Sequence, residues 1–416
     1  MTNPLLVGVD VHRQSNTVAV MNSQGVEVAP RFRVANNLPG TQEFVRQVAQ
    51  LMVAGSFDAL AIAAEATGWY WFHFFQTLSQ DPHLQQWPLT LYPFNPRVTE
   101  GFKRAYIDLD KTDPSDAGVI ADRLRFGRDL PAPWQLDDTY LPLRFLTRYR
   151  YHLIHLLARE KAYCLAILYL KASEYNLPDE ERRPFANVFG AASRAVLQEF
   201  ASLEEIAALP FAELVEFIDR HGKRRFADPA ENARKLRRVA AESYRLPEAL
   251  RPPIQAILGW SLQHISFLER QIKRLDTAIA AQMATIPQTL ETIPGIGPVF
   301  AGGILAEIGG PARFHYQEHK VAKFAGFKWR KTRSADFEAD ETRLTRTGNH
   351  YLRYYFCEAA NAVRMRDREY AAYYDRKYHE VHTHQHKRAI VLTARKLVRL
   401  VVALLNTNQP YRARRN

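Results

Sequence analysis

Asp110-Lys-Thr-Asp-Pro-Ser-Asp-Ala117 is the stretch around which the rest of the chain falls into order. Asp113 and Asp116 stand one helical turn apart, so on a helix they share a face, with Cβ atoms roughly 5–6 Å apart. Pro114 suits the first turn, where a missing N–H costs nothing, and it biases Asp113 toward an extended backbone. The stretch therefore predicts a helix start, with Asp113 as the cap and Asp116 complementing the helix dipole. It also sets two carboxylates side by side. Whether they do more than cap depends on what the chain brings to them.

Upstream, the pattern is α/β. Leu5-Leu-Val-Gly-Val-Asp10 predicts a short apolar strand ending in an acid, Asn16–Val20 its hairpin partner and Val26–Val34 a third strand. Thr41–Val53 has helical spacing through Phe44, Val45, Val48 and Leu51. Ala59-Leu-Ala-Ile-Ala-Ala-Glu65 is a buried-strand pattern that again ends in an acid. The aromatic run Trp69–Phe75 opens a helix, Leu89–Tyr92 makes a further strand, and the helix from Asp113 carries Ile120, Ala121 and Leu124. Three strands, then strands alternating with helices, is the order of an RNase H-like sheet, in which strand ends and one late helix deliver acids to one point.

Four acids stand at such places: Asp10, Glu65, Asp113 and Asp116. In-line displacement at a phosphodiester is helped by two Mg²⁺ ions about 3.5–4 Å apart that clamp the attacking and leaving oxygens, and hard cations want carboxylate oxygens. One acid at a strand end means little, since Asp10 can be a turn residue and Glu65 a capping acid before Trp69. Four in this order predict a Mg²⁺ site.

Composition bounds the partners. The 416 residues suffice for two or three domains. The net charge of +12 points to a polyanion, nucleic acid first. Two cysteines, Cys164 and Cys357, exclude a disulfide framework and a cysteine-based zinc site. Met1–Pro4 runs straight into a strand without a basic segment, and no apolar run is long enough to span a bilayer. The expectation is a cytoplasmic protein with no membrane partner.

After Pro131-Ala-Pro133 the chain turns helical. Leu146, Tyr149, Leu153, Leu156, Tyr163, Ile167 and Leu170 follow 3–4 spacing broken at Glu160; Ile254, Leu258, Ile265, Leu268, Ile272, Leu275 and Ile279 follow it broken at Ser261. These are heptad seams, and they suggest an antiparallel hairpin, a spacer or a dimerisation arm. The charged helical insert between them carries Lys223-Arg-Arg225 and Lys235-Leu-Arg-Arg238, either solvated faces or nucleic-acid contacts. Residues 1–130, 131–285 and 286–416 are the expected domains: acid-bearing α/β, helical coiled coil, and mostly helical C-terminal.

The last domain opens with Ile293-Pro-Gly-Ile-Gly297 ahead of a helix, a helix-hairpin-helix pattern in which Gly295 and Gly297 let backbone amides approach a phosphate. Lys328, Arg330, Lys331 and Arg333 interleave with Trp329, a composition suited to a nucleic-acid backbone and a stacked base. Ser334 lies among them, and Arg346 and Arg353 flank the start of a later helix. His379, His382, His384 and His386 are expected in a solvated connector.

The chain resembles the insertion-sequence transposases of the IS-one-ten family, also described as bridge-RNA-guided recombinases. The resemblance rests on Gly8-Val-Asp10, Ala64-Glu65 and Lys111–Ala117 at one end, and on Ile293–Gly297, Phe324-Ala-Gly-Phe327, Ser334 and Arg346-Thr-Gly-Asn-His-Tyr-Leu-Arg353 at the other. It implies a RuvC-like domain whose four acids, Asp10, Glu65, Asp113 and Asp116, are catalytic, and a transposase domain in which Ser334 becomes covalently joined to DNA. It also implies a structured noncoding RNA that pairs with donor and target DNA. The chain departs from the family pattern at Ala335, where glycine is common, at Trp329, where proline is common, and in a longer acidic run at Asp336–Glu341; Thr332 is a rival hydroxyl. A DNA invertase of the same family and a hydrolytic RuvC-like nuclease are the alternative activities. A homo-oligomer whose site is shared between protomers is the expected assembly, the acids lying in the first third and Ser334 in the last.

Overall fold

The computed structural model describes residues 3–106, 112–329, 333–334, 337–338, 344–345 and 347–413. The chain divides into two compact units, Met1–Asp138 and Thr139–Asn416.

The first unit is built on a sheet of β1 (Pro4–Val11), β2 (Ser15–Met21), β3 (Phe32–Ala35), β4 (Ala59–Glu65) and β5 (Leu89–Phe94), in the order β3-β2-β1-β4-β5. β2 runs antiparallel to β1 and β3, whereas β1, β4 and β5 are parallel. The third strand is shorter than expected: of Val26–Val34 only the end pairs regularly, and Glu27 makes an isolated bridge to Met21. α1 (Leu38–Ala54) and α2 (Phe72–Gln80) cover one face, packing with Leu5, Val7, Val9, Leu60, Ile62 and Ala64. The other face, with Leu6, Ala63, Tyr92 and Phe94, takes α4 (Asp113–Phe126) through Ile120, Ala121 and Leu124, and α3 (Pro96–Lys103) precedes it. Strand side chains alternate between faces, so Gly8, Asp10 and Glu65 all belong to the α4 side. The Pro131–Pro133 segment does not end this unit, because Trp134 donates its amide to Leu91 O (2.7 Å) and sets its ring against Trp71, Phe72 and Phe75.

Gly8 is where α4 meets the sheet. A Cβ there would lie 2.2 Å from Ala117 O and 2.3 Å from Ala121 N, both backbone atoms of the helix. No side chain fits, so the absence of one lets α4 rest on β1.

The second unit is helical. α5 (Leu141–Lys171) and α10 (Arg251–Met283) pack antiparallel, with the small helices α6 (Ala191–Glu199), α7 (Leu203–Ala208), α8 (Phe211–His221) and α9 (Pro229–Glu242) gathered around Leu168, Leu258 and Ile265 at one end. The α10 seam is buried as expected at Leu258, Ile265, Leu268, Ile272 and Ile279. On α5 it is only partly kept. Leu153 is buried as expected, but Tyr149, Tyr163 and Leu170 are 54%, 51% and 49% exposed, and Cys164 and Leu168, outside the expected seam, are buried. Polar pairs fix this register. The two residues that break the heptads meet, Ser261 donating to Glu160 Oε1 (2.5 Å), and Arg150 pairs with Asp276 (2.5 Å).

At the other end Leu143, Ile279 and Met283 join the core of α11 (Pro298–Ile308), α12 (Glu318–Phe324), α13 (His350–Arg364) and α15 (Gln385–Thr407), so the helical pair and the last third share one core. Between α12 and α13 lies a small antiparallel arm of β6 (Arg333–Ser334) and β7 (Phe337–Glu338), and α14 (Arg368–His379) precedes α15. Of the four histidines expected in a connector, His382 and His384 lie between α14 and α15, whereas His379 ends α14 and His386 is in the first turn of α15, its Nδ1 meeting Tyr374 OH (2.7 Å). Among the described residues no helix is long and apolar enough to cross a membrane.

Among the described residues Glu307, in α11, is the most deeply buried charged residue of this unit, 1% exposed. Arg148 of α5 donates Nε and Nη2 to its two oxygens (2.6 and 2.8 Å), and Asn349 Nδ2 donates to Oε2 (2.6 Å). Burial pushes the carboxyl up, but the bonds from Arg148 and the charges of Arg148 and Arg144 outweigh it and hold it below its usual range. Stability from such a group is present above its unfolded pKa, about 4.3 for glutamate, and is lost as pH falls toward the lower folded value.

Two measurements follow from this packing. Gly8→Ala is expected to lower stability by about 1–3 kcal/mol, an overpacking cost, in urea unfolding. Arg148→Met leaves Glu307 charged and buried, and is expected to cost about 3–5 kcal/mol at pH 7. In the same titration at pH 4, where Glu307 of the variant protonates readily, the gap to wild type should narrow.

Candidate active site

The helix start that opened the sequence is capped differently from expectation. Thr112, not Asp113, is the N-cap: its side chain accepts from Ser115 N (3.3 Å), and Ser115 Oγ accepts from Thr112 N (3.1 Å) in a reciprocal box. Asp113 is the first helical residue. Capping by two hydroxyls leaves the carboxylates of Asp113 and Asp116 for other partners. Arg31, from the segment before β3, holds this end by donating Nη1 to Pro114 O (2.7 Å) and is itself bound to Glu27.

Asp10 and Glu65 stand one residue beyond the pair Val9–Ala64, the last in register between the neighbouring parallel strands β1 and β4. Strands in such a pair are about 4.8 Å apart, so the two acids leave the sheet side by side toward α4. The structure then treats the four differently. Asp10, Asp113 and His12 converge, each offering a ligand atom within 4.8 Å of the others. His12 Nε2 lies 3.1 Å from Asp10 Oδ2 and 3.5 Å from Asp113 Oδ1. Asp116 is paired with Lys103 at the end of α3. Glu65 accepts from Thr99 Oγ1 (2.6 Å) and Thr67 Oγ1 (3.1 Å), and neither Glu65 nor Asp116 belongs to the converged trio.

The charges report the crowding. Burial pushes the Asp10 carboxyl up; His12 draws it down, and the negative charges of Asp116 and Asp113 raise it again, for a net rise. A carboxylate so placed gains from any cation that enters. Two carboxylates with an imidazole, and two further acids on the same side of the sheet, are a donor set that fits a divalent metal. Among the described residues no other group of three such side chains converges. His12, Lys103, Thr99 and Arg31 were not singled out from sequence. The only available signal was for His12, two residues after Asp10 and so on the same side of the strand end.

The C-terminal candidates are less gathered. Ser334 lies in the arm, opposite Phe337, and a bridge between Trp329 and Leu344 with Thr345 N donating to Lys328 O (2.9 Å) closes the arm's base. Arg333 is the other residue of β6. Arg330, Lys331, Thr332 and Arg346 lie outside the described residues. Lys328 is exposed. Arg353 is committed within the fold, donating to Ala325 O (3.0 Å) and Thr347 O (3.4 Å). Gly295 has φ +98° and touches the α13 backbone, where a Cβ would meet Ala362 O at 2.7 Å; Gly297 has open space and heads α11 with no side-chain cap. A single 3₁₀ turn, Leu290–Thr292, precedes that bend.

Comparison with known proteins bears on the same two ends. Residues 7–171 match a DEDD transposase family of IS110 elements, and residues 287–375 match the transposase IS116/IS110/IS902 family. The chain is also 23% identical over 431 residues to the insertion element IS900 uncharacterized 42 kDa protein of Mycobacterium paratuberculosis, across 99% of this chain and 98% of that relative. The DEDD match implies an RNase H-like fold for the sheet that carries the acids. With both matches in order and more than half of its length covered, the chain belongs to the IS110 family of transposases, enzymes that cleave and rejoin DNA.

Proposed function

We propose that this transposase exchanges DNA strands with two sets of groups: a Mg²⁺-binding cluster of Asp10, Glu65, Asp113 and Asp116, and a nucleophilic Ser334. The observation that carries the first half is the meeting of Asp10 and Asp113 at the end of β1 and the start of α4, with Glu65 one strand away and Asp116 one turn along. Bound Mg²⁺ would supply charge to neutralise the non-bridging and leaving oxygens of a phosphodiester. The four carboxylates would hold it, and Lys103 beside Asp116 offsets part of their repulsion.

Ser334 supplies the attacking hydroxyl. Its oxygen bonds to phosphorus as the bond from phosphorus to a deoxyribose oxygen breaks. The serine proton passes to a base, and the departing oxygen takes one up. Reversal by a different DNA hydroxyl rejoins the strand and frees the serine, so no phosphodiester is lost. Family membership and the serine's place in the small β6–β7 arm support this half. Lys328, Arg330, Lys331, Arg333, Arg346 and Arg353 are the cations proposed to meet the DNA backbone, with the amides at Gly295 and Gly297 as a phosphate cradle. Arg353, donating to Ala325 O and Thr347 O, also shapes the turn at Phe324–Phe327.

The partners are double-stranded donor and target DNA and a structured noncoding guide RNA, in keeping with a net charge of +12. The assembly is a homo-oligomer in which one chain's serine serves another chain's acids. The exposed row Tyr149, Tyr163 and Leu170 on α5, left uncovered by α10, supports pairing of chains. A DNA invertase role and a purely hydrolytic nuclease are the alternatives, the first separated by the DNA flanking the gene, the second by the covalent adduct.

Asp113→Asn should abolish strand cleavage, and with it exchange, while DNA and RNA binding persist; Ser334→Ala should abolish exchange and lose the protein–DNA adduct trapped on a suicide substrate, an adduct that Thr332→Ala should keep. Co-expressed, the two variants should recover partial exchange; hetero-oligomers that form and stay inactive would restrict each site to a single chain. Sequencing of RNA that co-purifies should return one structured species rather than random fragments, and its binding should weaken steeply between about 50 and 200 mM salt as counterions are released.

A further inference from the structure

We infer that His12 is a ligand of the cation held by Asp10 and Asp113, and that its imidazole biases this position toward Mn²⁺-class ions over Mg²⁺. The inference rests on the metal-binding role proposed for the acids and adds to it a nitrogen donor.

Spacing carries it. Two donors in adjacent positions on one ion, each at about 2.1 Å, are about 3 Å apart. His12 Nε2 is 3.1 Å from Asp10 Oδ2 and 3.5 Å from Asp113 Oδ1. Both separations are those of neighbouring ligands on a common ion, and they join carboxylates from two different elements, a strand end and a helix start. The imidazole therefore reaches the second acid as well as the one it bonds.

Anchoring supports it too. The His12 backbone is fixed on both sides, its N–H donating to Ser15 O (3.0 Å) and its carbonyl accepting from Asn36 Nδ2 (2.8 Å). Asn36 also donates to Tyr70 O (3.1 Å), so the ring is carried on a braced turn, with its side chain 50% exposed at the mouth of the cluster. The remaining acids are held differently, Asp116 by Lys103 and Glu65 by Thr99 and Thr67. The position between Asp10 and Asp113 therefore takes its third donor from His12.

The chemistry gives the metal preference. Mg²⁺ favours all-oxygen shells and keeps its waters, whereas nitrogen donors raise the affinity of Mn²⁺ and the later divalent ions. A mixed set of two carboxylates and one imidazole shifts the balance toward the latter.

The full-length protein, wild type and with His12→Asn or His12→Ala, is titrated with Mn²⁺ and with Mg²⁺. Pulsed electron paramagnetic resonance of the Mn²⁺-loaded samples then reads any directly bonded nitrogen. Wild type should show a ¹⁴N coupling that moves to the ¹⁵N frequency when histidine is ¹⁵N-labelled. His12→Asn, which keeps a donor toward Asp10 and leaves the backbone bonds intact, should lose that coupling. It should weaken Mn²⁺ binding about tenfold and Mg²⁺ binding by less than about twofold. Mn²⁺ binding without nitrogen coupling in wild type, or a coupling that survives in His12→Asn, overturns the role of His12 and leaves the acid cluster standing. A folded wild type that binds neither ion overturns both.

Discussion

The close contact of β1 with α4 at Gly8 is the constraint on which the candidate site depends. With no side chain between them, the backbone of Ala117–Ala121 lies directly on the strand. Two residues farther along the same face of β1 comes Asp10, and one turn back along the helix come Asp113 and Asp116. A helix rises about 1.5 Å per residue, so setting α4 one residue out of register or a methyl group higher would separate the carboxylates. Arg31 on Pro114 O fixes the end that the glycine contact leaves loose.

Bringing acids from β1, β4 and α4 to one side of the sheet has an electrostatic cost, and the fold meets it locally. Lys103 answers Asp116, two threonine hydroxyls answer Glu65, and His12 lies between Asp10 and Asp113. Asp10, its side chain 16% exposed, still has its carboxyl pushed up. A divalent cation would relieve that repulsion, which is why the arrangement suits metal-assisted phosphoryl chemistry better than a structural ion-pair network.

In the second unit polar residues set the register of apolar helices. Ser261 and Glu160 bond across the seam they interrupt, and Arg150 with Asp276 sets it again about three to four turns away. Asn349 acts in three directions: its side chain caps α13 at Leu352 N and reaches Glu307, and its amide donates to Phe324 O (2.6 Å). The chain returning from the Ser334 arm thus re-enters the core at a residue bonded to α11, α12 and α13.

Much of the first unit was legible because its signals are local. Alternation along Leu5–Asp10 and Ala59–Glu65, and the Pro114 helix start, depend on neighbours in sequence, and strand ends followed by acids name Asp10, Glu65, Asp113 and Asp116. Periodicity likewise gave both long helices. It could not say which stripe of α5 would be buried, since apolar residues occupy more than one face and the choice falls to Glu160, Arg150 and their partners on α10, over a hundred residues away. Nor could it tell that Thr112 caps the helix, or that Lys103 and Thr99 would reach the acids, because those bonds follow from how α3 and α4 lie on the sheet. The sequence by itself determined the acids and the elements that bear them. Only the tertiary structure decided which two of them meet, and that an imidazole stands between them.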